Sequence, residues 1–65
     1  MSKSIKDLNK VTVRYAIGDE DIEEYHIEGF FKDGQQYVVA VFDDTCEDIA
    51  DEVAAMINER LVNKA

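Results

Sequence analysis

The chain has 65 residues, 15 of them acidic and seven basic, for a formal net charge of −8 and a pI near 4.3. A chain this short forms one domain with one modest core, which leaves no room for a deep substrate cavity. Such acidity sets it against nucleic acid and anionic membranes as direct ligands and favours a basic protein partner.

The apolar fraction of 46% is ample for a globular fold. A single cysteine, Cys46, excludes an internal disulfide framework. The Met-Ser-Lys start and the lack of a long apolar run read against a signal peptide or a transmembrane helix. A reducing cytoplasm is the expected compartment, bacterial or viral.

Charge is unevenly placed. Lys3, Lys6, Lys10 and Arg14 put four of the seven bases in the first fourteen residues. From Tyr15 to Glu59 there are fourteen acids and one base, Lys32. Two blocks carry most of them: Asp19, Glu20, Asp21, Glu23, Glu24 and Glu28, then Asp43, Asp44, Glu47, Asp48, Asp51 and Glu52. A solvated surface that keeps a small protein soluble would account for some of this. The density costs stability through self-repulsion, and a domain of this size has little to spare.

Residues 1–10 fit either a short helix or a frayed arm. Ser4 and Asp7 have capping-box spacing, and Ile5 and Leu8 share a helical face. Val11 to Ile17 alternates as a half-buried strand, with Val11, Val13, Tyr15 and Ile17 on one face. Gly18-Asp19-Glu20-Asp21 is a turn. Ile22 to Phe31 is a second strand, with Tyr25, Ile27 and Phe31 on one side and Glu24, His26, Glu28 and Phe30 on the other; Gly29 suggests a bulge.

Asp33-Gly34 is a hairpin signal. Gln36 to Phe42 is a third strand, apolar on both faces: Tyr37, Val39 and Val41 against Val38, Ala40 and Phe42. Such a strand is a liability at a sheet edge unless something covers it. The last element is a helix, N-capped by Asp44 with Glu47 at the third position. Cys46, Ile49, Ala50, Val53, Met56, Ile57 and Leu61 form its apolar stripe, and Asp48, Asp51, Glu52 and Glu59 its opposite face. Arg60 and Lys64 suit its C-terminus. The expected fold is α+β: a single domain over 1–65, a three-stranded antiparallel sheet with one C-terminal helix packed on it (βββα).

No reaction-class constellation can be assembled, so the chain is not read as an enzyme. Cys46 lies on the apolar stripe and reads as core filler. His26 has no nucleophile beside it and reads as a surface residue. Asp19-Glu20-Asp21 lacks the spaced oxygens and glycine of a calcium loop. One His and one Cys exclude a zinc site within the chain. No cofactor is implied.

What remains is binding. Asp19, Glu20, Asp21, Glu23, Glu24 and Glu28 on the hairpin, and Asp43, Asp44, Asp48, Asp51, Glu52 and Glu59 at and along the helix, would present rows of negative charge spaced loosely like phosphates. Phe30, Val38 and Phe42, with Ala40, are an expected apolar interface on the sheet face away from the helix, covered by Ile5 and Leu8 or by a partner. With Asp19-Glu20-Asp21, Glu23-Glu24 and Asp43-Asp44, the chain resembles the small acidic inhibitors that phages encode, anti-CRISPR proteins and DNA mimics among them. The resemblance covers overall character and the two acidic blocks. It implies a non-enzymatic inhibitor in the host cytoplasm, blocking the basic surface of a nucleic-acid-binding defence complex such as a Cas protein. The alternative is a small homodimeric assembly module whose charge serves solubility.

Overall fold

The computed structural model describes residues 3–63; Lys64 and the first two residues of the expected arm lie outside them. The order is a short 3-10 turn (Ile5–Asp7), β1 (Leu8–Ile17), β2 (Glu23–Phe31), β3 (Gln36–Asp43) and α1 (Glu47–Val62), with 3-10 turns at Asp19–Asp21 and Asp44–Cys46. The strands form an antiparallel meander in the order β1-β2-β3, and α1 packs across one face. This is the α+β, βββα arrangement that the hydrophobic periodicity predicts.

The two hairpins differ. The Asp33-Gly34 turn has Gly34 at φ 89°, a conformation open to glycine at no steric cost. Phe31 N–H donates to the Gln35 carbonyl at 2.9 Å and Gly34 N–H to that of Phe31 at 3.0 Å. The acidic turn puts two non-glycine residues in the left-handed region, Glu20 at φ 58° and Asp21 at φ 61°. It is closed by Gly18 N–H donating to the Ile22 carbonyl at 2.7 Å.

The N-terminal segment is docked. Ser4 N–H donates to the Asp7 carboxylate at 2.8 Å, and Lys32 N–H to the Asp7 carbonyl at 2.8 Å. Lys3 Nζ reaches the Asp33 carboxylate at 2.6 Å. β1 begins three residues before the alternation does, because Asn9 is an extra residue between the pairs Leu8↔Phe31 and Lys10↔Phe30. That bulge turns Leu8 to the face that carries Val11. Leu8 therefore joins the core under the helix instead of covering the open face, and Ile5 stays 43% exposed.

A second bulge lies in β3. Ile27 pairs with Ala40 and Glu28 with Val38, so Val39 is extra. Strict alternation along β3 fails there: Ala40 and Phe42 pack against the core under the helix, while Val38 and Val41 lie on the open face with Glu28 and His26. Phe42 is thus not an open-face residue, correcting the expectation from the simple alternation. Gly29 is not itself a bulge. It sits between the two, and a Cβ there would come 2.8 Å from Leu8 Cδ2 and 3.0 Å from Val39 Cγ1.

The core comprises Leu8, Val11, Ile27, Phe31 and Ala54, flanked by Val13, Ala40, Phe42, Val53, Ile57 and Leu61. Ala50 and Ile27 are fully covered. The helix turns inward on Ala50, Val53, Ala54, Ile57 and Leu61. The broader predicted stripe overreaches, since Ile49 is 52% and Met56 68% exposed. Small residues at Ala50 and Ala54 let the helix approach the sheet closely. Asn58 determines where it lies: its Oδ1 accepts from Val11 N–H and its Nδ2 donates to the Val11 carbonyl, both at 2.9 Å. A side-chain amide thus stands in for a neighbouring strand at the β1 edge.

Asn58→Ala is expected to lower stability by about 1–3 kcal/mol, because two main-chain groups lose their partner at once. Asn58→Asp should not rescue it, since a carboxylate opposes the Val11 carbonyl. Gly29→Ala should cost about 1–3 kcal/mol through overpacking. Urea unfolding of the three variants checks both.

Candidate anionic interface

In an antiparallel meander followed by a helix, the β1–β2 turn and the β3–α1 junction lie at the same end of the sheet. The two acidic blocks, about twenty residues apart in sequence, therefore meet. Ile17 pairs with Glu23 and Glu24 with Asp43. Asp44, Glu47 and Asp48 follow directly. A groove of about 410 Å³ between the blocks is lined by Ile22, Glu23, Glu24, Val41, Phe42, Asp43 and Asp44.

Asp19, Glu20 and Asp21 form the tip of this end, Glu23, Glu24, Asp43 and Asp44 its rim, and Glu47, Asp48, Asp51 and Glu52 the start of the helix. No lysine or arginine occurs between Tyr15 and Phe31 or between Asp33 and Glu59. The nearest guanidinium, Arg14, is occupied at mid-sheet by Glu28 at 2.8 Å.

Local chemistry shows the charges acting on one another. The Asp43 side chain, not Asp44, caps the helix approach, accepting from Thr45 N–H at 2.7 Å. The chain enters the helix through the Asp44–Cys46 turn, which moves the cap one residue earlier than the sequence spacing predicts. That hydrogen bond, with one from Asp44, holds the Asp43 carboxyl below the usual range. Asp44 shifts the other way, raised first by the adjoining Asp43 carboxyl, then by lost hydration and by the charges of Asp43 and Glu23. Tyr25, whose ring lies 5.5 Å from that of Tyr15, has its phenol raised first by burial and then by Glu47, Asp44, Asp51 and Glu23. The Tyr15 phenol donates to the Glu23 carboxylate and is pushed up to about 12, that hydrogen bond being the largest cause. Charges from β2, the Asp44–Cys46 turn and the helix thus converge on these two rings.

Not every predicted acid belongs to the cluster. Glu28 is 8% exposed and accepts from Arg14 Nε at 2.8 Å and Gln36 Nε2 at 2.9 Å. It forms a cross-strand ion pair on the open face, set apart from the cluster at the end of the sheet. Glu59 stands seven residues beyond Glu52, roughly 10 Å along the helix, beside a groove it lines with Met56, Arg60 and Asn63. Of the expected apolar interface, Phe30 and Val38 do lie on the open face, where Lys10 Nζ sits 5.2 Å from the Phe30 ring centroid. His26 Nε2 lies 2.9 Å from Glu24 Oε1.

The opposite end gathers most of the bases, with Asp7, Asp33 and Glu59 among them. Lys6 and Arg60 line one groove with Ile5, Leu61 and Asn63; Lys6 and Lys32 line its neighbour with Leu8, Asn9, Leu61 and Val62. The sequence already shows the early cluster of bases. What it does not show is that the helix returns Arg60 to them. Among the described residues, no three His, Cys, Asp or Glu side chains come together as metal ligands, and no helix is long and apolar enough to cross a membrane.

No family model matches the chain, and no curated protein or solved structure resembles it closely enough to count as a relative.

The Asp43–Asp44 pair supplies a check on that geometry. In a carboxyl-carbon NMR titration, Asp43 should lose its proton below the ordinary aspartate range and Asp44 above it. Asp43→Asn should bring Asp44 back down. The stability effects have opposite signs: Asp43 contributes stability above its unfolded value that is lost as pH falls, whereas Asp44 opposes folding once it ionises and is relieved as pH falls.

Proposed function

We propose that this protein is a non-enzymatic inhibitor that occupies a basic, nucleic-acid-binding surface of another protein, in the manner of a DNA mimic. The observation that carries this reading is the convergence of eleven of the fifteen acids on one end of the molecule, with no lysine or arginine interleaved. A charge that served solubility alone would have no reason to be gathered. Each pair of carboxylates about 7 Å apart repels by roughly 0.6 kcal/mol in water before salt screening. Crowding eleven of them multiplies that cost, and a cationic groove on a partner would turn it into attraction.

The scaffold suits such a role. Strand pairing holds Glu23, Glu24 and Asp43 in register, the capped turn holds Asp44, and the first helical turns hold Glu47, Asp48 and Asp51. Charges fixed before binding cost little ordering entropy, and they would speed encounter with a basic surface. The resemblance to phage-encoded inhibitors points to a bacterial defence effector, with Cas proteins the natural first choice.

The test is a panel of purified nucleic-acid-binding defence effectors, Cas nucleases among them, assayed for target binding with and without this chain. Inhibition of at least one is expected, with affinity falling at least ~10-fold between about 50 mM and about 200 mM salt. Combined reversal of Asp19, Glu20 and Asp21 with Asp48, Asp51 and Glu52 to lysine should abolish it, while Glu59→Lys should leave it nearly intact. Inhibition that survives the combined reversal overturns the electrostatic mechanism.

A further inference from the structure

The sheet has two edges, and among the described residues a side chain caps main-chain groups at only one of them. At the β1 edge, Asn58 occupies both main-chain groups of Val11. The β3 edge has no such cover. The helix lies mainly over β1 and β2, so β3 is only partly covered: Ala40 and Phe42 reach the core, but Tyr37 is 46%, Val38 45%, Val39 43% and Val41 55% exposed. Gln36–Asp43 contains no lysine, arginine or proline, the residues that commonly guard an edge. The Val39 bulge bends this edge without covering it. Ile49 lies half a helical turn away from Asn58 around α1, so it extends the apolar surface on the flank away from β1.

We propose that β3 is a self-association surface along which a second copy of this chain pairs, antiparallel, to give a six-stranded sheet. The charge distribution selects both the partner and the direction. The C-terminal end of β3 carries Asp43 and Asp44 beside Glu24. The N-terminal end adjoins Lys32 and the Lys3–Asp33 ion pair, the Lys3 Nζ lying 6.0 Å from the Tyr37 ring centroid, so this end carries a net positive charge from the three side chains. Antiparallel pairing brings each acidic end beside the basic end of the other copy. It also holds the two acidic ends about a strand length apart, roughly 27 Å for eight residues, against a screening length of about 8 Å at physiological salt. Parallel pairing would stack acid on acid. Pairing also satisfies the outward main-chain groups of β3 and covers valines on both faces at once. The surface shares Val41, Asp43 and Asp44 with the rim of the anionic groove but does not include the tip at Asp19–Asp21.

Sedimentation equilibrium across the micromolar range, with amide hydrogen exchange on the same samples, tests this. The expected species has twice the 7.4 kDa chain mass, and exchange of the β3 amides should slow with rising concentration. Val38→Lys with Val41→Lys alters only exposed side chains on the open face, so it should give a monomer with an unchanged circular dichroism spectrum. Lys32→Glu should raise the dissociation constant at least ~10-fold at low salt. A wild-type chain that remains monomeric throughout overturns the proposal. So does a dimer that survives the double lysine variant or leaves the β3 amides unprotected.

Discussion

One helix has to cover a three-stranded sheet, and it is too narrow to do so. Three strands at about 4.8 Å spacing, with the side chains that flank them, are wider than a helix about 10 Å across. The helix must therefore favour one side, and the paired hydrogen bonds from Asn58 to Val11 place it over β1. Much follows from that placement. Ile27, on the central strand, is fully buried, and burial of a side chain of that size is worth about 1.5–3 kcal/mol. Tyr37, Val38, Val39 and Val41 on the far strand stay exposed. One polar side chain ties the helix to the β1 side of the sheet and leaves the β3 side less covered.

The two bulges serve the same packing. Asn9 and Val39, on the strands flanking β2, turn Leu8 and Val39 toward a common point, and Gly29 on the central strand leaves space for both. Any side chain at Gly29 would have to displace one of them. The irregular registers, the missing Cβ and the close approach of helix and sheet are a single arrangement.

Topology organises the charge. A meander returns the β1–β2 turn and the end of β3 to the same side, and the helix starts there before running back. Acids that are remote in sequence are thereby gathered at one end, and bases from the N-terminal segment, Lys32 and Arg60 at the other. The strain of Glu20 and Asp21 at positive φ and the opposed shifts of Asp43 and Asp44 belong to the crowded end. A molecule polarised in this way is attracted to a basic surface at its acidic end and not at the end that holds its bases, which orients encounter as well as strengthening it.

Hydrophobic periodicity was enough to establish three strands, two turns and a terminal helix, because each of those signals is local: alternation, Asp33-Gly34, and an uninterrupted apolar stripe. The two acidic blocks were equally legible. Tertiary structure decided whatever depends on a neighbour distant in the chain. The bulge at Val39 exchanged the faces of half a strand and turned Phe42 toward the core, since register is a property of a pair of strands and cannot be read from one. Glu28 was withdrawn from the acidic surface by Arg14 and Gln36, and Asn58, with no apolar signal, became the residue that positions the helix. Composition could count the charges; only the fold, by choosing which ends of the strands meet, could collect them in one place.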